Sequence, residues 1–294
     1  MKKKLLALTL ALAMVLALAA CSSTTNNGGA AASPSAPASS APSDTPDNSQ
    51  APADGETSAE SDLAYVQDKG TLVVGITPFA PMDYEDTNGE WIGFDADLSR
   101  LFAEELGVEV QFQVIDWDNK VLELDGKNID VVWNGMTLTD EVLSAMECSQ
   151  PYLNNQQVVV VPADVADQYQ DEESIQGLSF AVEAGSAGEA EAEARGLTYT
   201  SVVDQATAVL ETSSGTSDAA IIDSLMAAAM VGEGTSYADL TYTVALSTEE
   251  YGVGFRKVSD LAAKLDEFFA AKYADGTMQE LAETYGVQAA LVAQ

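Results

Sequence analysis

At 294 residues, 47% of them hydrophobic, the chain is long enough for one large or two small domains with a sizeable core. Its 47 acids against 12 bases give a net charge of −35, which repels phosphate and argues against a nucleic-acid partner. The absence of histidine excludes Ser-His-Asp and Cys-His catalysis and removes the commonest transition-metal ligand. Neither a metal nor a cofactor is expected. The two cysteines, Cys21 and Cys148, are not expected to pair, and Cys148 reads as a small, largely buried side chain.

Met1 to Cys21 carries three lysines, then an apolar run of Leu, Ala, Met and Val, then small residues, which is the pattern of a signal peptide. Leu18-Ala19-Ala20-Cys21 resembles the bacterial lipobox, in which cleavage precedes the cysteine and its thiol carries lipid. Residues 1–20 are therefore expected to be removed. Cys21 is expected to anchor the protein on the outer (extracellular or periplasmic) face of the cell membrane. Residues 21–61, rich in Ser, Ala and Pro and almost free of large apolar side chains, read as a disordered tether.

The folded part is expected from Asp62. Leu63 and Val66 suit a short helix ending at Gly70. Leu72 to Ile76 is a continuous apolar run of the kind found in a buried parallel strand. Thr77 to Asn88 is a loop with two prolines. Phe94, Leu98, Leu101, Phe102 and Leu106 recur at helical spacing, with Gly107 as the stop. Val108 to Val114 alternates apolar and polar, as in a half-exposed strand. Asp116-Trp117-Asp118 then leads into a helix. Val131 to Trp133 is a strand, Asn134-Gly135-Met136-Thr137 a small turn, and a helix starts near Thr139, where Asp140 and Glu141 suit the positive helix end. A strand, a turn offering amides and a helix N-terminus make either a site for a small polar or anionic group or an ordinary strand-to-helix connection.

After the strand Gln157 to Val161 the α/β unit repeats, with strands at Ser179–Glu183, Tyr199–Val203, Ala219–Ile222 and Leu240–Leu246. Helices are expected at Glu189–Arg195, Asp204–Thr212 and Ser224–Val231. The chain returns through Tyr251–Phe255 and ends in two helices, Leu261–Tyr273 and Met278–Tyr285. Two α/β units with a return near residue 248 imply two lobes joined by two crossings, 62–157 with 249–294 and 158–248. A ligand is then expected at the carboxyl ends of the strands, between the lobes.

Eight stretches, in order, carry a resemblance: GTLVVGI through PFAPMDYED and GEWIGFDADLSRLFAEELG, then IDWD, DGKNIDVVWNGMTLTDE, SQPYLNNQQVVVV, VEAGSAGEAE, SDAAIIDS, YGVGFRK and ADGTMQELAETYG. Over residues 62 to 287 the chain resembles the extracellular solute-binding protein family 3, the amino-acid-binding components of ABC importers. The resemblance implies a periplasmic-binding-protein-like fold of type II. It also implies that Phe79 and Trp117 place rings over a ligand, unless both are core aromatics. Gly135 and Thr137, within the segment Asn134 to Thr137 that includes Met136, and Ser186 in the other lobe match positions that hold an α-carboxylate. Asp223 matches the acid that pairs with an α-ammonium, although a helix N-cap is the alternative. Members usually carry an arginine two residues after Asp140, as a bidentate clamp on the carboxylate, but here the residue is Val142. Either amides and Thr137 hold the carboxylate, or the ligand has none. Asp223, Asp83 and the aromatics then suit an amine or other cation. Trp133 is either a third ring or a core residue of its strand.

The expected function is capture of an amino acid or related small amine outside the cell and its delivery to ABC permease subunits, by a monomeric, non-catalytic lipoprotein. The alternatives are an enzyme on the same fold, dehydratase- or cell-wall-lyase-like, and a sensor domain.

Overall fold

The computed structural model describes residues 61–294. The expected signal peptide, Cys21 and the tether up to residue 60 lie outside these residues. Ser61, read as the last residue of the tether, is instead the N-cap of helix α1 (Asp62–Lys69). Its hydroxyl accepts from the Ala64 amide at 3.0 Å and donates to Asp260 at 2.5 Å.

The chain then runs through β1 (Thr71–Ile76), a two-strand ribbon of β2 (Tyr84–Glu85) and β3 (Trp91–Ile92), and α2 (Phe94–Leu106). β4 (Glu109–Val114) follows, then a 3-10 turn at Trp117–Asn119, α3 (Lys120–Asp125), β5 (Val131–Thr137), α4 (Asp140–Ala145), β6 (Glu147–Cys148) and β7 (Leu153–Asn155). A second series comprises β8 (Gln157–Pro162), β9 (Ser179–Glu183), α5 (Ala187–Ala194), β10 (Thr198–Val202), α6 (Gln205–Ser214), β11 (Ala219–Asp223), α7 (Ser224–Met230) and β12 (Leu240–Ala245). The chain closes with β13 (Glu249–Phe255), α8 (Leu261–Ala274) and α9 (Thr277–Tyr285).

The strands form two sheets. One has the order β4-β1-β5-β13-β6, with β7 also paired to β13; the other has the order β10-β9-β11-β8-β12. Within each, the strands joined through helices are parallel (β1 with β4 and β5; β9 with β10 and β11), as helical crossover connections allow. β13 and β8 are the antiparallel insertions, and each follows directly on a strand of the opposite chain segment. The chain therefore passes between sheets twice, at Asn155–Gln157 and between Ala245 and Glu249. Among the described residues no helix is long and apolar enough to cross a membrane.

The pattern-based elements form where apolar side chains have a face to bury. In β1, Leu72, Val74 and Ile76 are fully buried, and α2 lays Phe94, Leu98 and Phe102 into the same core. The expected turn at Asn134 to Thr137 is a correction: β5 continues to Thr137, because β13 runs beside it with Met136 opposite Gly252 and Thr137 opposite Tyr251. Gly135 sits inside this strand with φ +56°, a left-handed conformation that suits glycine. The signal for a turn was real as local conformation, but the neighbouring strand keeps the backbone paired.

Candidate functional site

The carboxyl ends of β5, β9 and β11 converge on a cavity of about 460 Å³ between the two sheets. Phe79, Trp117, Asn134, Gly135, Met136 and Thr137 line it from the first lobe, and Ser186 and Asp223 from the second. The lobes touch across it. A Cβ on Gly185 would lie 2.7 Å from the Asp118 Cα, and Lys120 Nζ donates to the carbonyls of Trp117 at 3.2 Å and Gly185 at 3.0 Å. The cleft is therefore in a closed arrangement.

The Phe79 wall is built by short-range hydrogen bonds. The Phe79 amide donates to the Asp83 carbonyl at 2.7 Å, and the Met82 and Asp83 amides donate back to the Phe79 carbonyl at 2.8 Å. The ring packs edge-on against Tyr251 at 6.3 Å. Gly135 makes room for it, because a Cβ there would stand 2.6 Å from Phe79 Cε1. The Asn134 side chain accepts from the Thr77 amide at 2.9 Å and hydroxyl at 2.8 Å, and it donates to the Thr77 carbonyl at 3.0 Å and Asp83 at 2.8 Å. Two of the expected site residues are not on the cavity. Asp83 is fully buried behind Asn134, its carboxyl held well above the usual range by burial first and then by Asp95. Trp133 packs edge-on against Phe102 at 6.2 Å and Phe269 at 5.5 Å, as a core residue of β5. Trp117 does line the cavity, with the Lys120 ammonium 5.0 Å from its ring centroid.

Two of the groups expected to receive a ligand carboxylate, Gly135 and Thr137, each donate to a carboxyl of the protein itself. The Gly135 amide donates to Asp95 at 2.7 Å; Tyr152 donates to both oxygens of the same carboxyl, at 2.7 and 2.9 Å. Burial pushes Asp95 up to about 6 against the effect of these bonds. The Thr137 hydroxyl donates to Glu249 at 2.9 Å. Ser186 caps α5, accepting from the Glu189 amide at 3.1 Å, while the Glu189 carboxylate takes the Gly185 amide at 2.7 Å. The two bonds fix the turn that leads into the helix. Thr139 in turn caps α4 through the Val142 amide at 3.1 Å.

What the cavity does present is acid. Asp118, Asp140, Glu141, Glu183, Glu189, Glu193 and Asp223 line it, and among the described residues Lys120 is the one base in the lining. Burial lowers the Lys120 ammonium from its ordinary value, against the pull of Glu183. Asp223 accepts from Gln157 at 2.8 Å and Tyr251 at 2.8 Å, as well as from Asn155 and Gln205. Burial, then Glu249, push its carboxyl to about 8. Glu183 is 3% exposed and its Oε1 has no hydrogen-bond partner; burial, then Asp223, push it to about 8.

Glu183, Lys120, Gln205 and Glu249 were not singled out in the sequence. Glu183 had a readable signal: it is an acid closing an otherwise apolar strand, SFAVE, at the end where α/β sheets bind ligands. Glu249 had none, since its partners reach it from Thr137, Asn155 and Gln157.

A model of the bacterial extracellular solute-binding proteins, family 3, matches residues 72–288. The L-cystine-binding protein TcyJ of Escherichia coli (strain K12) is 28% identical over 227 residues, covering 76% of this chain and 85% of TcyJ. The arginine-binding extracellular protein ArtP of Bacillus subtilis (strain 168) is 27% identical over 222 residues, covering 72% of this chain and 85% of ArtP. Among solved structures, the ancestral amino acid-binding protein AncCDT-1, a precursor of cyclohexadienyl dehydratase, superposes with a TM-score of 0.70 at 30% identity, covering 76% of this chain and 99% of its own. The two α/β lobes with two crossings are thus the type II periplasmic-binding-protein-like fold that the resemblance implied.

Proposed function

This chain belongs to the bacterial extracellular solute-binding proteins, family 3, and from that membership we propose that it captures a small cationic solute, an amino acid or a related small amine, and delivers it to the permease subunits of an ABC importer. One observation carries the choice of a cation. Seven acidic side chains line the cavity against a single basic one among the described residues, and that ammonium is spent on two carbonyls. A field of that sign attracts cations and rejects anions before any contact forms. Relatives that bear the names arginine-binding and L-cystine-binding proteins fit the amino-acid class. In this reading Phe79 and Trp117 face the solute's apolar stem, Glu183 and Asp223 face its charge, and closure of the lobes selects it by contacts from both sides.

The reading extends to the first 60 residues. A signal peptide is removed, and Cys21 carries lipid that holds a monomeric domain outside the membrane. Replacing Cys21 by alanine then moves the protein from the membrane fraction to the medium or periplasm. Membrane retention of Cys21→Ala counts against the anchor.

The test of function is a thermal-shift screen of the purified protein against cationic, neutral and anionic amino acids and amines. Stabilisation confined to cations is expected. Stabilisation by glutamate or aspartate, with none by any cation, overturns the reading. A second reading, an enzyme on the same fold, is favoured by two observations. The buried Glu183 carboxyl sits near neutral pH as a general acid requires, and AncCDT-1 is named as a precursor of a dehydratase. Chemical change of a bound solute on incubation separates the two.

A further inference from the structure

We propose that the solute is a cation that lacks a carboxylate, namely a diamine or a guanidino-amine rather than an α-amino acid. This rests on the cationic reading above and narrows it.

The inference comes from where the cavity's donors point. An α-carboxylate needs donors that are free when it arrives, and a buried one left without them is costly. Three groups stand where such a receptor is built, and each is already taken: the Gly135 amide by Asp95, the Thr137 hydroxyl by Glu249, and the amide ahead of α5, that of Gly185, by Glu189. The helix that follows β5 adds no basic side chain. Its cap is Thr139, and the side chain at the third position of its first turn is the apolar Val142, which is 7% exposed. The lining base, Lys120, donates to two carbonyls and lies against the Trp117 ring. A ligand carboxylate would therefore enter a wall of acids with these three donors already engaged and no basic side chain free to meet it.

The opposite holds for a cation. Glu183 lines the cavity, and its buried Oε1 has no hydrogen-bond partner. An ammonium or guanidinium supplies that missing donor, and the charge it brings compensates both Glu183 and its neighbour Asp223. Asp140 and Glu141, on α4 in the other lobe, line the same cavity. A solute with a positive group at each end meets an acid from both lobes, so that closing the cleft and holding the solute become one event.

Isothermal titration calorimetry of the purified protein with matched pairs decides the matter: agmatine against arginine, cadaverine against lysine, putrescine against ornithine. Each pair differs only by the carboxylate. The amine is expected to bind at least roughly tenfold more tightly than its amino acid in one pair or more. If the amino acid is the tighter member wherever binding is seen, the inference is overturned while the cationic reading stands. If no member of any pair binds, both are overturned. Glu183→Gln keeps the side-chain volume and is expected to weaken the amine at least tenfold. Unchanged amine affinity in a folded Glu183→Gln protein removes Glu183 from the site and the inference with it.

Discussion

Asp223 and Glu249 each accept a 2.8 Å hydrogen bond from one and the same donor, Gln157 Nε2. The Asn155 amide nitrogen donates to the same pair. Asp223 closes β11 in one sheet and Glu249 opens β13 in the other, while Asn155 and Gln157 flank the first crossing. The two carboxyls are thus clasped at the junction of the lobes. Burial and the nearby Glu249 raise Asp223 from 3.8 to about 8, so the folded protein holds a proton there that the unfolded chain gives up. A raised carboxyl contributes stability that is complete below its unfolded pKa and lost as pH rises through the folded one. Glu183, at about 8, and Asp95, at about 6, act in the same direction. The ligand-free protein is therefore expected to lose melting temperature steadily between pH 5 and pH 8.5. Glu249→Gln removes one charge and keeps the acceptor oxygen, so the loss should shrink by roughly 2 °C or more in differential scanning calorimetry. An identical pH slope in the variant would dismiss Glu249 as a cause.

The same protons couple to binding. Glu183 is flanked by Asp223 and Asp204, and Asp223 by Glu249 and Tyr251, with Lys120 across the cavity from Glu183. At pH 6.5 both carboxyls, near 8, are mostly protonated in the ligand-free cleft. A cation binds the ionised form and expels the proton. Affinity is then expected to fall roughly tenfold per pH unit below 8 for each proton displaced. Calorimetry at pH 6.5 in phosphate and in Tris measures this, because released protons add the buffer's ionisation enthalpy. Equal enthalpies in the two buffers would mean that neither carboxyl titrates on binding.

How much of this was legible in the sequence depends on range. The run Leu72 to Ile76, and Phe94 to Leu106 stopped by Gly107, are local patterns with one way to bury their apolar side chains. Phe79 and Asp223 were named through the family resemblance, and both line the cavity at the carboxyl-terminal side of buried strands. Asp83 and Trp133 were near enough in sequence to suit the site, yet the fold turns them behind its wall. The misread turn at Asn134 to Thr137, and the missed group Glu249, Gln157 and Gln205, share one cause. They depend on the register of β13 against β5 and of β11 against β8, where Asp223 lies opposite Gln157. No local pattern encodes such a register.

Gly135 tests the wall. Alanine there must hold φ near +56° and bring its Cβ within 2.6 Å of Phe79 and 3.0 Å of Tyr251. Strain and overpacking together should cost about 2 kcal/mol or more in urea unfolding. Because the Phe79 ring is what must yield, solute affinity should fall as well. A Gly135→Ala protein of undiminished stability would mean that the ring moves freely, and Phe79 would then be no fixed wall of the site.

Val142 tests why a carboxylate is refused. It lines the cavity, 7% exposed, packed with Met136 and Met146 on the inner side of α4. An arginine at this position is too long for that apolar nest and must carry its guanidinium into the cavity, among carboxylates that already lack cations. There it repels an incoming ammonium, and it offers a bidentate donor pair to an incoming carboxylate. Both effects move discrimination the same way. Val142→Arg should therefore weaken agmatine and strengthen arginine relative to it, shifting the ratio of their dissociation constants by roughly tenfold or more. Some stability is lost with the packing, about 1–2 kcal/mol, so the ratio rather than either affinity is the readout. A ratio unchanged in a folded variant would mean that the guanidinium is absorbed by Glu183 or Glu141. Selectivity against carboxylates would then lie with Asp95, Glu249 and Glu189, whose replacement by amides would be the change that admits an amino acid.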